Sequence, residues 1–140
     1  MLFRSQGYDA GRKGSTDASS SGRNAMCEAA MLESKATDKK NFEAAMEQFF
    51  AFLERRENVR VCDFHSDGEL AGFFFFNNFY HTTEAAALLE GKDRESARAR
   101  ALAHLVRISE IDGSFIDSHE MGKSYGTASA LLSLKNCLKK

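Results

Sequence analysis

The sequence predicts an all-α fold, and three observations carry that prediction. Its 140 residues contain no proline, where ordinary usage of about 5% would place roughly seven. Nineteen alanines supply the residue with the highest helix propensity. Apolar residues recur at helical spacing in segments separated by glycine-bearing breaks. All-β and collagen-like chains are excluded on the same grounds. With 19 Lys and Arg against 20 Asp and Glu, the charge balance removes the electrostatic basis for a nucleic-acid ligand. Cys27, Cys62 and Cys137 form no CxxC pair, which fits a reduced, cytoplasmic setting better than a disulfide scaffold. The longest apolar run, residues 70–76, is far shorter than the ~20 residues of a membrane span, and no signal-peptide core is visible near the start.

Taken in order, residues 1–22 read as a loop flank, because 7–22 are mostly Gly, Ser and Asp with almost nothing apolar to bury. A helical segment is expected over 23–140. Residues 24–33 (NAMCEAAMLE) form a short helix. Asp38 then caps the clearest amphipathic helix, in which Phe42, Ala45, Met46, Phe49 and Leu53 share one face. It ends before Asn58. Residues 61–76 are irregular, with Ser66-Asp67-Gly68 as a turn signal ahead of four phenylalanines. A helix resumes near Asn78 and stops at Gly91. Asp93 caps the next, to about Glu110, whose stripe is Ala97, Ala101, Leu105 and Ile108 while Arg94, Arg98, Arg100 and Arg107 stay polar. Asp112-Gly113-Ser114-Phe115 breaks it, and the last helix takes in SYGTASALLSLKNCL.

Two kinds of helix alternate. Residues 38–57 and 93–110 are charged on one side, whereas 80–89 and 125–134 are small or apolar nearly all round, the pattern of burial on every side. Outer and inner layers follow. Self-similarity runs through the inner set: Tyr80, Thr82, Ala85 and Leu89 lie over Tyr125, Thr127, Ala130 and Leu134, and Glu28-Ala29-Ala30 lies over Glu84-Ala85-Ala86. The repeating unit is an outer helix, a long loop and an inner helix, present about two and a half times.

Residues 108–134, ISEIDGSFIDSHEMGKSYGTASALLSL, carry a Q-x-x-D-G-S-W-like turn and a Y-x-T-A-x-A-L-x-A-L-like helix, with Glu110 or a neighbour where Gln is usual and Phe115 in place of Trp. The combination resembles the prenyltransferase and squalene oxidase repeat of the terpenoid cyclase and protein prenyltransferase superfamily. The resemblance spans roughly residues 20–138 and implies an α/α toroid, of which this chain would be a partial arc, a C-terminal piece with an exposed apolar edge. It implies a repeat domain that is non-catalytic in this segment and offers a concave surface or apolar cavity to a hydrophobic small molecule or to an N-terminal half of the same protein. The alternative it implies is a terpene cyclase or prenyl-transferring enzyme whose acid or zinc site lies partly in an N-terminal region.

Candidate chemistry is sparse. A cyclase protonates an alkene with a carboxylic acid in a dry, aromatic-walled pocket; this chain lacks D-x-D-D, and the family's acid position falls on Tyr80, Asn24 or Tyr125. Glu84 and Glu28 persist in otherwise apolar helices, where an unpaired buried carboxylate is costly, so each is expected either to accept hydrogen bonds that lock the layers or to serve as a pocket acid. Cys62, His65 and His81, with Asp63, are the residue types that hold zinc, but the family's D-x-C order is missing, and buried or loop-bonded roles compete; no cofactor is expected. Phe76, Tyr80, His81 and Tyr125 are cavity-wall candidates set against plain core packing. Asp117 and His119, together with Asp63 and His65, are the acid–base candidates for a hydrolytic use of the fold, set against a solvated loop.

Overall fold

The computed structural model describes residues 21–55, 61, 75–118 and 121–139, and among these every regular element is helical. Helix α1 is Ser21–Glu33, α2 is Lys39–Arg55, α3 is Phe75–Ala85, α4 is Gly91–Ile108 and α5 is Gly122–Leu138. None is long and apolar enough to cross a membrane.

α2 forms where the amphipathic pattern places it. Asp38 Oδ1 accepts the Asn41 amide at 2.9 Å, satisfying one of the donors left over in a first helical turn. Phe42, Ala45, Met46, Phe49 and Leu53 are all buried, joined by Phe50 and Phe52. On α4, Ala97, Ala101 and Leu105 are buried as expected, with Ile108 packed against the core.

Several boundaries move. α3 begins at Phe75 rather than near Asn78, because its opening turn is capped from a distant part of the chain. Its α-helical bonding stops at Ala85, and a 3-10 turn, Ala86–Leu88, completes it instead of a helix running to Gly91. α4 opens at Gly91, not Asp93; Gly91 adopts a left-handed φ of +48° at the junction, and Asp93 donates its amide to the Glu90 carbonyl at 3.1 Å. α5 opens at Gly122, two residues early, on a φ of +68°.

α1 packs on α2 and α3, α3 on α5, and α4 against α2, α3 and α5. Thus α1, α3 and α5 form one row, and α2 and α4 a second row behind it. Two close approaches fix the phase of the first row. A Cβ on Gly22 would lie 2.6 Å from Asn78 Cβ, so α1 and α3 meet there with no room for a side chain. Between α3 and α5, Asn136 Nδ2 donates to Thr83 Oγ1 at 3.4 Å. Because Phe75, opening α3, meets Asp117 just ahead of α5, while Thr83 near the other end meets Asn136, the two helices run parallel.

The aromatic core lies between the rows. Phe42, Phe49, Phe75, Phe76 and Phe79 are fully buried; the Phe49 and Phe79 rings join α2 to α3 at 6.0 Å, and Phe76 and Phe115 meet edge-on at 5.7 Å, arrangements suited to ring quadrupoles. The expectation that inner helices are buried on every side is corrected for α5: Leu131, Leu132 and Leu138 face solvent, and its covered face is built from Gly126, Ala130, Ser133 and Asn136. Small residues let α5 approach its neighbours closely, which leaves the leucines on the outer side.

Candidate functional site

Among the described residues, the carboxyl pushed clearly above its ordinary range is that of Asp117. Its position follows from Gly126 on α5, where a Cβ would sit 2.5 Å from the Phe115 carbonyl oxygen and 3.0 Å from the Asp117 nitrogen. Only a glycine lets the 115–117 loop lie directly on the helix. Thr127 fastens it, its Oγ1 accepting the Phe115 amide at 3.0 Å. Asp117 is thereby held at 0% exposure. Its Oδ1 accepts the Phe75 amide at 3.0 Å, the Phe76 amide also bonds the carboxylate, and Oδ2 has no partner.

Burial pushes the Asp117 carboxyl up to about 6, and the amides of Phe75 and Phe76 pull the other way without prevailing. A carboxyl poised there can carry a proton close to neutrality, a property shared with catalytic acids. Its surroundings are nonetheless packed. Phe76 is fully buried against Phe75, Phe79 and Phe115, so it contributes an amide and core volume at this point. Tyr125 has its hydroxyl pushed up by burial and by the Asp117 charge, while a hydrogen bond with Ser129 acts in the opposite direction.

A second group lies on the free side of α3. Tyr80 Oη donates to Glu84 Oε1 at 3.3 Å, and His81 Nδ1 lies 3.4 Å from Glu84 Oε2. Glu84 is exposed; it accepts from one side chain of its own helix, lies beside a second, and is spared the cost of a buried, unpaired carboxylate. The Glu84 charge raises the Tyr80 hydroxyl pKa, the opposite of what an activated phenolate needs. Tyr80 has a positional counterpart on α5 in Tyr125, which is likewise half-buried.

The remaining candidates disperse. Glu28 is buried at 7% exposure with Oε2 unpartnered, on α1. Cys62, Asp63, His65 and His119 lie outside the described residues. Among the described residues no three of His, Cys, Asp and Glu are placed to share a metal ion. A groove of about 290 Å³ opens between α2 and α4, and its arginine is already engaged: Arg100 lies 4.6 Å over the Phe50 ring and bonds Glu47 at 2.6 Å and Glu54 at 2.7 Å.

Two polar residues escaped the sequence reading. His104 is buried on the α4 stripe, stacked 5.9 Å from Phe79, and burial, aided by Arg107, pushes its pKa down to about 4. Its place beside Leu105, three residues after Ala101, was the available signal. Arg98, placed by the sequence only on the polar side of its helix, donates from Nη1 to the Lys139 carbonyl at 2.6 Å, capping the end of α5, where a cation is favoured. Comparison of the chain with protein-family models, curated proteins and solved structures returns no match.

Proposed function

We propose that the chain is an arc of an α/α toroid that works by binding, with the row of α1, α3 and α5 as its inner surface and a hydrophobic small molecule of the isoprenoid class as its ligand. The observation that carries this reading is a repeated, half-buried tyrosine: Tyr80 and Tyr125 stand at positions that the sequence already aligns, on parallel neighbouring helices, with the Tyr80 hydroxyl bonded to Glu84. Aromatic rings with a polar tip suit a ligand that is apolar along its length and hydroxylated at one end. The carboxylates that could act on such a ligand have other employment, Asp117 holding the start of α3 and Glu84 holding Tyr80 and His81.

A second reading, an enzyme of the terpene cyclase or prenyl-transferring type, is favoured by the elevated pKa of Asp117 within aromatic surroundings. Titration with farnesol, followed by amide and side-chain NMR, separates the two. The binding reading expects shifts at Tyr80, His81, Glu84 and Tyr125, recovery of unaltered farnesol, and the same affinity in Asp117→Asn. Conversion of the alcohol that disappears in Asp117→Asn supports the enzyme, and absence of shifts at these residues contradicts both readings.

A further inference from the structure

The row α1–α3–α5 ends on two different faces, and each carries a feature that suits the other. On α5 the side turned away from α3 presents Ala128, Leu131, Leu132, Lys135 and Leu138 at helical spacing, with the three leucines 56%, 48% and 63% exposed. Three leucines aligned along one helix are an unusual use of surface for a helix whose covered side is Gly, Ala, Ser and Asn. The alignment of α3 with α5 explains the placement. Thr83, buried on α3 and in contact with α5, and Ala86, buried in the 3-10 turn that completes it, correspond in the repeat register to Ala128 and Leu131. The exposed stripe of α5 is therefore the side on which the row would receive its next helix.

On α1, the exposed residues are Cys27, Ala30 and Glu33, three residues apart and small except for the terminal carboxylate. We infer that this face receives the α5 stripe of a second copy, so that the row continues from molecule to molecule, head to tail. Leu131 and Leu132 would seat over Cys27 and Ala30, and Lys135 would meet Glu33, both charges lying about one turn beyond the apolar contacts. An α5-to-α5 pairing gives Lys135 no such partner, because α5 has no Asp or Glu. The inference rests on the row of helices and stands apart from the toroid and from any ligand. The contact is heterologous, so growth does not stop at a dimer. One helix face buries less than the ~1,200 Å² of a stable interface, so association is weak and depends strongly on concentration.

Sedimentation equilibrium of the full chain, from about 10 μM to about 1 mM, a range matched to a weak interface, provides the test. The mass-average weight is expected to rise with concentration and to pass that of a dimer without a plateau. Ala30→Lys blocks the α1 face and Leu131→Lys blocks the α5 face. Both sites are exposed, and unchanged helicity by circular dichroism checks each fold; Cys27→Lys and Leu138→Lys form an independent second pair. Each variant alone is expected to remain a single protomer, whereas Ala30→Lys mixed with Leu131→Lys restores a one-to-one pair, because each supplies the face the other lacks. A wild-type chain that stays monomeric throughout, an Ala30→Lys variant that associates like wild type, or a mixture that fails to pair overturns the inference.

Discussion

Asp117 is the residue at which local chemistry and the fold meet most tightly. Its carboxylate accepts amides at the start of α3, where the helix dipole favours negative charge, yet burial outweighs that help and lifts its pKa to about 6. The folded state therefore holds the proton more tightly than the unfolded chain, whose carboxyl titrates near 3.9, and stability contributed by this group falls as pH rises from about 4 to about 6. His104 acts in the reverse sense. Its folded value of about 4 lies below the unfolded value near 6.5, so its contribution rises with pH across that window. Because the two slopes oppose one another, the informative quantity is the difference between wild type and Asp117→Asn, which keeps an acceptor for the Phe75 amide and removes the charge. Urea unfolding should find the variant more stable by about 2 kcal/mol at pH 7.5, with the gap closing near pH 4. A variant less stable at pH 7.5 would mean that the charged cap outweighs its burial. Sequence alone could not identify this role: Asp117 sits in a polar loop, and its partner is 42 residues away.

At the scale of elements, legibility followed the contrast between faces. α2 carries buried phenylalanines on one side and charges on the other, so its stripe and its Asp38 cap were readable from spacing. The start of α3 was not, because the turn is completed by Asp117 rather than by a neighbouring Ser, Thr or Asp. α5 was misjudged for a different reason. A helix of small and apolar residues says that burial is affordable on either side without saying which side is used, and the covered side proved to be the small one. Gly126 is the hinge of that choice: Gly126→Ala places a Cβ against the Phe115 carbonyl and the Asp117 nitrogen, backbone atoms that cannot rotate away. The expected cost is about 2 kcal/mol, with the Phe75 amide losing hydrogen-exchange protection together with α5. Equal stability of the variant would show that the 115–117 loop does not rest on the helix.

For the whole molecule, the alternation read from the sequence corresponds to two rows of helices, α1, α3 and α5 in front of α2 and α4. The repeat register was visible because Tyr, Thr, Ala and Leu recur at matched positions in residues 79–90 and 124–135. Ligand chemistry was less visible, because several acid and metal candidates belong to residues 62–65 and 119, outside the described structure, while Glu84 and Asp117 bond to their own chain. Both functional proposals depend on the front row, so its existence is the claim to test first. Nuclear Overhauser contacts in the isotope-labelled 140-residue chain do this most directly. The row predicts contacts from Gly22 to the Asn78 side chain and from Thr83 to Asn136 within one monomeric sample, at a concentration low enough to suppress association. Absence of both pairs, with α1 or α5 instead contacting the outward sides of α2 or α4, would contradict it.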